Sequence, residues 1–246
     1  MKKLLKYQLS TSWVSLAVFA VVYLGIMAFA GISVSFSGGD SYSQMNGTEM
    51  AVGILCFVIF VSNYGDNMRL AIQNGRSRKS IYTAALASAG LGSMMLSLYA
   101  QIIIFASSLL FGSERISYIS MTEVIYDTNR SMVGHFIENY IFTTALLLVT
   151  AMFALVLAAA FARAGKYGRV AIAAGVPIAL FVGFPILSGI VVSKAPALSE
   201  MYIRLLAKVT GVESGNPYIG SLTMIIAAAV MALITYFINR RAELKG

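Results

Sequence analysis

The stretch Asn63–Tyr82, NYGDNMRLAIQNGRSRKSIY, separates two apolar runs and decides how the chain is organised. It carries one acidic and four basic residues in an otherwise apolar central region. Asp66 and Asn67 are residue types that often cap a helix N-terminus, and the pair Asn74-Gly75 often ends a helix. The stretch therefore predicts a helix of about two turns between these two signals.

This short helix is amphipathic by its spacing. Met68 and Ile72 fall on one side at i, i+4 spacing, whereas Arg69, Gln73 and Arg76 take the other side. Two interpretations stay open from the residues alone. The stretch is either a docking element for another protein or a solvated turn whose cations anchor it at the membrane surface.

Composition indicates an all-α polytopic membrane protein. The chain has 246 residues, of which 59% are hydrophobic and 11% are charged, whereas a soluble domain carries about 25% charged residues. The net charge of +8 is spread as small basic groups between apolar runs. That distribution is typical of membrane topology signals and does not indicate a nucleic-acid partner.

Six apolar runs are candidates to span a bilayer, which takes about 20 residues of helix. They cover about residues 12–32, 48–65, 83–111, 135–161, 170–192 and 217–238, so that 1–246 forms a single transmembrane domain. The third run has small residues at four-residue spacing, which predicts close helix packing. These residues are Ala85, Ala89, Ser93 and Ser97.

Charge asymmetry predicts the orientation. Thirteen of the 18 Lys and Arg residues lie on the side that holds both termini and the central stretch, and the positive-inside bias places that side in the cytoplasm. The segment 33–48 is then a plain external loop, and 112–134 an external loop with some local structure. Pro196–Thr210 predicts an external amphipathic helix between spans five and six, with Glu200 and Arg204 paired at i, i+4.

The sequence offers little catalytic chemistry. Gly165-Lys166 lacks the upstream glycine of a phosphate-binding loop, so ATP hydrolysis by this chain is not expected. No acidic or basic residue lies in the middle of a span, which weakens a proton-driven mechanism. Gln101 and Asn63 are expected to form hydrogen bonds between helices. His135 is expected to lie at the outer interface, and we predict no catalytic, cofactor-binding or metal-binding residue.

The fifth span repeats a Gly-x-Pro unit, at Gly175 to Pro177 and again at Gly183 to Pro185. Each proline removes a backbone hydrogen bond and loosens a turn. The pattern is compatible with static kinks in a closely packed helix or with a hinge that bends as a pathway opens.

The architecture of six spans with both termini inside, a basic amphipathic N-terminal turn and an amphipathic external helix resembles the membrane subunit of an ABC-2 type ABC transporter. The sequence DNMRLAIQNGRSRKSIY, which begins at Asp66, is similar to the loop between spans two and three of small permeases from Gram-positive bacteria. In that family this loop holds a coupling helix that docks on a separate ATPase. The resemblance assigns ATPase coupling to Asp66, Asn67, Met68, Arg69, Leu70, Ile72, Gln73, Asn74, Gly75 and Arg76, and a smaller contact to 162–169.

The resemblance also implies partners and cargo. Two ATPase subunits would bind ATP and Mg²⁺, a second identical or paralogous permease would complete the pathway, and this chain would hold no cofactor. The location implied is the bacterial cytoplasmic membrane, in contact with lipid. The cargo implied is an amphipathic peptide, as in bacteriocin export or immunity, or another hydrophobic compound. Alternatives are a lipid, polysaccharide or drug exporter permease, a stand-alone channel or secondary transporter, and an intramembrane enzyme.

Overall fold

The computed structural model describes residues 16–30, 32–33, 43–75, 77–111, 116–126, 132–194 and 196–240. The predicted basic turn over 1–10 lies outside these residues. The described part is mainly helical, with α1 (Leu16–Ala30), α2 (Thr48–Gln73), α3 (Arg78–Phe111), α4 (Met121–Tyr126), α5 (Met132–Arg163), α6 (Lys166–Ile178), α7 (Phe184–Lys194), α8 (Pro196–Thr210) and α9 (Pro217–Arg240).

Two short strands accompany the helices. β1 (Ser43–Met45) and β2 (Ile116–Tyr118) pair in parallel, with Gln44 opposite Ser117. The prediction of a plain loop over 33–48 is therefore wrong for residues 43–45. The local structure predicted for 112–134 is present as β2 and α4.

Four helices of the described part are long and apolar enough to cross a membrane, namely α2, α3, α5 and α9. Of two shorter apolar helices, α1 lies within the predicted first span and α7 overlaps the predicted fifth span, which it extends to Lys194. The coarse prediction of an all-α chain with helices long and apolar enough to span a membrane is confirmed. The six spans and their orientation stay predictions.

Helix α5 lies at the centre of the bundle and packs against α2, α3 and α9. Its residues Leu147 and Ala151 are fully buried. The small residues predicted to pack closely in α3 are all buried as well, because a small side chain lets two helix backbones approach. In the same helix a Cβ on Gly92 would lie 3.0 Å from Cζ of Phe60, so a larger residue there requires the Phe60 ring to move by a few tenths of an ångström.

The predicted fifth span is a helix with a widened turn. A π-helical segment, Ala179–Gly183, joins α6 to α7 without a break. Pro177 lies inside α6 and Pro185 lies in the first turn of α7. No residue of α6 or α7 is buried, so the small residues of this span do not pack closely against another described helix. The hinge interpretation stays a prediction.

Helix α8 begins at Pro196 and ends at Thr210, as the amphipathic pattern predicts. Glu200 and Arg204 are 4.0 Å apart on its exposed side, where solvent screening leaves such a pair little stabilising effect. The apolar residues Met201 and Leu205 are exposed. A membrane surface is the environment that matches this face.

Candidate functional site

The two candidate sites lie at opposite ends of α2. This helix has 26 residues, and at about 1.5 Å per residue its ends are about 39 Å apart. The C-terminal end carries the coupling stretch predicted from the sequence. The N-terminal end carries a buried polar cluster that the sequence analysis missed.

The coupling stretch does not begin with a new helix. Helix α2 continues through Asp66 and Asn67 to Gln73, so the predicted N-cap at these two residues is wrong. The predicted stop at Asn74-Gly75 is confirmed. The Asn74 side-chain amide donates to the Leu70 carbonyl at 2.7 Å, and Gly75 has a φ of +66°, in the left-handed region that glycine tolerates.

The apolar side of the stretch faces the interior of this chain. Met68 is only 5% exposed and belongs to the core, and Ile72 packs against the same core. The Tyr64 hydroxyl donates to Oδ1 of Asn239 at 2.7 Å, which ties the end of α2 to α9. Met68, which the resemblance assigns to ATPase coupling, is therefore not accessible to a partner in this structure. The coupling role of the stretch as a whole stays a prediction.

Several residues of the stretch that the structure describes are exposed. Leu70 is 41% exposed, and Gln73, Asn74 and Gly75 are exposed beside it. Asp66, Asn67 and Arg69 lie in α2, but their side chains are outside the described part, as is Arg76. The backbone therefore brings the predicted coupling residues together at one helix end. Among the side chains of the stretch that the structure describes, Leu70 is the exposed large apolar one.

A basic cavity lies at the far ends of α5 and α9. Its volume is about 590 Å³, and Arg163 and Arg240 line it together with Ile234, Phe237 and Ile238. Asn239, which binds Tyr64, precedes Arg240 in α9. This cavity is therefore at the same end of the bundle as the coupling stretch, and its two guanidinium groups make that end basic.

At the other end of α2 six buried polar side chains come together, and we call them the Glu49 cluster. They belong to the first turn of α2, to α3, to the start of α4 and to α5, and each is less than 9% exposed. The members are Glu49, Gln101, Ser120, Thr122, Asn139 and Thr143.

The Asn139 amide is at the centre of this cluster. Its Nδ2 donates to Oε1 of Gln101 at 2.9 Å and to Oε1 of Glu49 at 3.4 Å. Its Oδ1 accepts from the hydroxyls of Thr122 at 3.0 Å and Thr143 at 3.4 Å. One side chain of α5 thus connects α2, α3 and α4, and the prediction that Gln101 bonds between helices is confirmed.

Helix α4 is held over the cluster by its own N-terminus. Ser120 and Glu123 form a capping box, in which the Glu123 carboxylate accepts from Ser120 N at 2.8 Å and Ser120 Oγ accepts from Glu123 N at 3.4 Å. Met121 N donates to Oε1 of Glu49 at 3.0 Å. The other Glu123 oxygen lies 2.6 Å from Nε2 of His135, which is 18% exposed at the edge of the bundle.

The charge on Glu49 is only partly compensated. The residue is fully buried, and while Oε1 accepts two N–H donors, Oε2 has no hydrogen-bond partner. The ion pairs between described side chains do not include Glu49. Nε2 of Gln101 and the hydroxyl of Tyr118 are also buried without partners. Burial raises the pKa of Tyr118, so it stays a neutral hydroxyl near neutral pH.

The Glu49 cluster was not predicted from the sequence, because only acidic and basic residues in the middle of a span were considered as candidate functional residues. Glu49 and Glu138 lie near the ends of the predicted spans 48–65 and 135–161, and the structure buries both, leaving Glu138 only 2% exposed. A span-end acid is ordinarily solvated, but here α4 covers the helix ends. The signal in the sequence was that both acids fall inside the predicted span boundaries.

No protein-family model, curated protein or solved structure matches the chain. Among the residues that the structure describes, no group of three or more His, Cys, Asp or Glu side chains is placed to hold a metal ion. The two candidate sites are therefore interpreted from their own geometry.

Proposed function

We propose that this chain is the permease subunit of an ABC transporter and exports an amphipathic peptide or another hydrophobic compound across the bacterial cytoplasmic membrane. It has six spans with both termini cytoplasmic, and it acts with a second permease and with two separate ATPase subunits that bind ATP and Mg²⁺. Four long apolar helices, the shorter α1 and α7, and the basic end of the bundle support this proposal.

The observation that carries the proposal is the way α2 leaves its apolar segment. The apolar segment of α2 ends at Gly65, but the helix itself continues to Gln73. The apolar segment of α3 begins at Lys79. The charged stretch between them is thus a helical extension of a span and not a loose loop. A rigid extension can transmit a displacement to the bundle, which a solvated loop cannot.

The contacts around this extension indicate a route for such a displacement. A partner would contact Leu70 and Gln73 on the exposed side. Movement of α2 would be passed to the core through Met68 and to α9 through the hydrogen bond between Tyr64 and Asn239. The fifth span would bend at its π-helical segment, a local widening of the helix that is frequent at functional sites.

Leu70→Ser tests the coupling role. Truncating an interface anchor costs about 2 kcal/mol, about 30-fold in affinity. Because Leu70 is exposed, this change should leave the chain folded and in the membrane. We expect the variant to lose the ATPase on affinity purification from its native host, or to retain it with hydrolysis no longer stimulated by substrate.

The matched control is Leu206→Ser, since Leu206 in α8 is 40% exposed, against 41% for Leu70. It should keep the ATPase. Met68→Ser is a second control of the opposite kind, because it should lower the stability of the chain itself. Normal recovery of the ATPase and normal coupling with Leu70→Ser would contradict the proposal.

A second candidate function is a stand-alone channel or cation-coupled secondary transporter. Glu49 favours it, since a buried carboxylate in a membrane bundle often marks an ion pathway. Transport by the purified chain in vesicles without any ATPase would support this candidate and exclude the first.

A further inference from the structure

We propose that the Glu49 cluster binds one small monovalent cation, H⁺ or Na⁺, at Oε2 of Glu49. The proposal concerns a second site at the opposite end of α2 from the coupling stretch. It does not depend on the proposed work with an ATPase, and its test uses the chain alone.

The negative charge of Glu49 is only partly compensated by the protein. A carboxylate taken out of water is stable only when it is paired or fully hydrogen-bonded. Glu49 is fully buried and has donors on Oε1 alone, from Met121 N and the Asn139 amide. Oε2 is buried without a partner. A single positive charge beside this oxygen completes the pairing.

The atoms that surround Glu49 also suit a cation. The cluster is rich in oxygen, with a carboxylate on Glu49, amide oxygens on Gln101 and Asn139, and hydroxyls on Thr122 and Thr143. Carboxylate, amide and hydroxyl oxygens suit hard cations such as Na⁺ and not thiophilic metals. The unpartnered Nε2 of Gln101 suits a bound water that accepts from it and solvates the cation.

Several of the elements that surround Glu49 carry titratable side chains. Helix α1 contributes Tyr23, whose hydroxyl donates to Thr48, and β2 contributes Tyr118. Helix α4 contributes Glu123, whose Oε1 lies 2.6 Å from Nε2 of its partner His135 on α5. Helix α5 also contributes the buried Glu138. Helix α3 contributes Gln101, which is neutral. His135 thus pairs with Glu123, and no Lys, Arg or His among the described residues forms an ion pair with Glu49.

Binding at this position would change how the helices hold together. Glu49 belongs to α2, and its Oε1 accepts from Met121 at the start of α4. A cation on Oε2 would reduce the cost of keeping the carboxylate between these helices. The loaded state should therefore resist unfolding better than the empty state.

The experiment measures the thermal unfolding midpoint of the purified full chain in phospholipid nanodiscs by circular dichroism. One arm replaces choline chloride by NaCl at constant pH and ionic strength. The other arm lowers the pH in choline chloride. We compare the wild type with Glu49→Gln, which keeps the size of the side chain without its charge, and with Glu213→Gln, where an exposed glutamate is changed.

We expect the wild type and Glu213→Gln to gain stability with Na⁺, with acid, or with both, and Glu49→Gln to lose that gain. A response to Na⁺ at constant pH identifies the metal ion, and a response only to acid identifies the proton. His135 and Glu123 are the same in all three proteins, so the difference between wild type and Glu49→Gln isolates Glu49.

Two results overturn the proposal. The wild type is insensitive to both Na⁺ and pH, or Glu49→Gln responds as the wild type does.

If Glu49→Gln does not fold, Thr122→Val takes its place, because it removes one hydroxyl and no charge. If Na⁺ is bound, Thr122→Val should need at least tenfold more Na⁺ than the wild type for the same rise of the unfolding midpoint. If both proteins need the same Na⁺ concentration, the metal site is overturned. If the wild type responds only to acid, infrared difference spectra between high and low pH are compared for the wild type and Glu49→Asp. Because Asp places the carboxyl in a different position, the band of this one carboxylic acid should shift, and identical spectra overturn the proton site.

Discussion

Asn139→Leu should destabilise the bundle, because this one amide joins α5 to three other elements. The change keeps the number and branching of the heavy atoms, so it removes polar contacts and creates no cavity. Two of the lost contacts are close, at 2.9 Å to Gln101 and 3.0 Å to Thr122. The other two, to Glu49 and Thr143, are longer at 3.4 Å.

The expected loss can be worked from these contacts. A hydrogen bond between membrane helices contributes about 0.6 kcal/mol on average and up to about 1.7 kcal/mol, so the two close contacts give about 1–3 kcal/mol. The Gln101 carbonyl oxygen would also stay buried without a donor, which costs about 1–3 kcal/mol. Allowing for relaxation of its side chain, we expect a total loss of about 2–4 kcal/mol.

The assay is reversible unfolding of the purified chain in mixed detergent micelles, followed by circular dichroism. Asn63→Leu is the matched control, since Asn63 is half-buried in α2 and no hydrogen bond from its side chain to another described residue is found. A loss below about 0.5 kcal/mol for Asn139→Leu, within the range of ordinary surface changes, would refute this account of the cluster. So would an equal loss in the control.

Two further predictions concern topology and the fifth span. A cysteine at Ser117 should react with an impermeant thiol reagent added outside the cell, and a cysteine at Ser77 should not. Both positions are exposed, and the charge bias places them on opposite sides of the membrane. The reverse labelling pattern would mean that the topology is inverted. Changing Pro177 and Pro185 together to Ala should restore helical hydrogen bonds at the π-helical segment and reduce transport without reducing membrane insertion; undiminished transport would leave the prolines as static kinks.

Local signals in the sequence were enough to locate most helices. Apolar runs cannot be solvated and must form hydrogen-bonded helices in lipid, whatever the rest of the chain does. For this reason composition alone indicated the membrane-spanning helices. The bounds of Pro196–Thr210 and the stop at Asn74-Gly75 follow equally local rules, since proline favours a helix start and glycine accepts the left-handed conformation after a helix end.

Local signals failed where tertiary contacts outweighed them. A capping residue contributes about 1 kcal/mol, and at Asp66 and Asn67 this preference is overridden, because a continuous α2 buries Met68 and lets Tyr64 reach Asn239, 175 residues away. Neither contact can be read from neighbouring residues.

The Glu49 cluster depends on tertiary structure alone. Asn139 bonds to Gln101 across 38 residues and to Glu49 across 90 residues. In the sequence each of these residues is an isolated polar side chain near the end or in the interior of an apolar run. Composition and periodicity determined that these helices form, but only the packing of α5 against α2 and α3, with α4 over their ends, decided that a carboxylate is removed from water there.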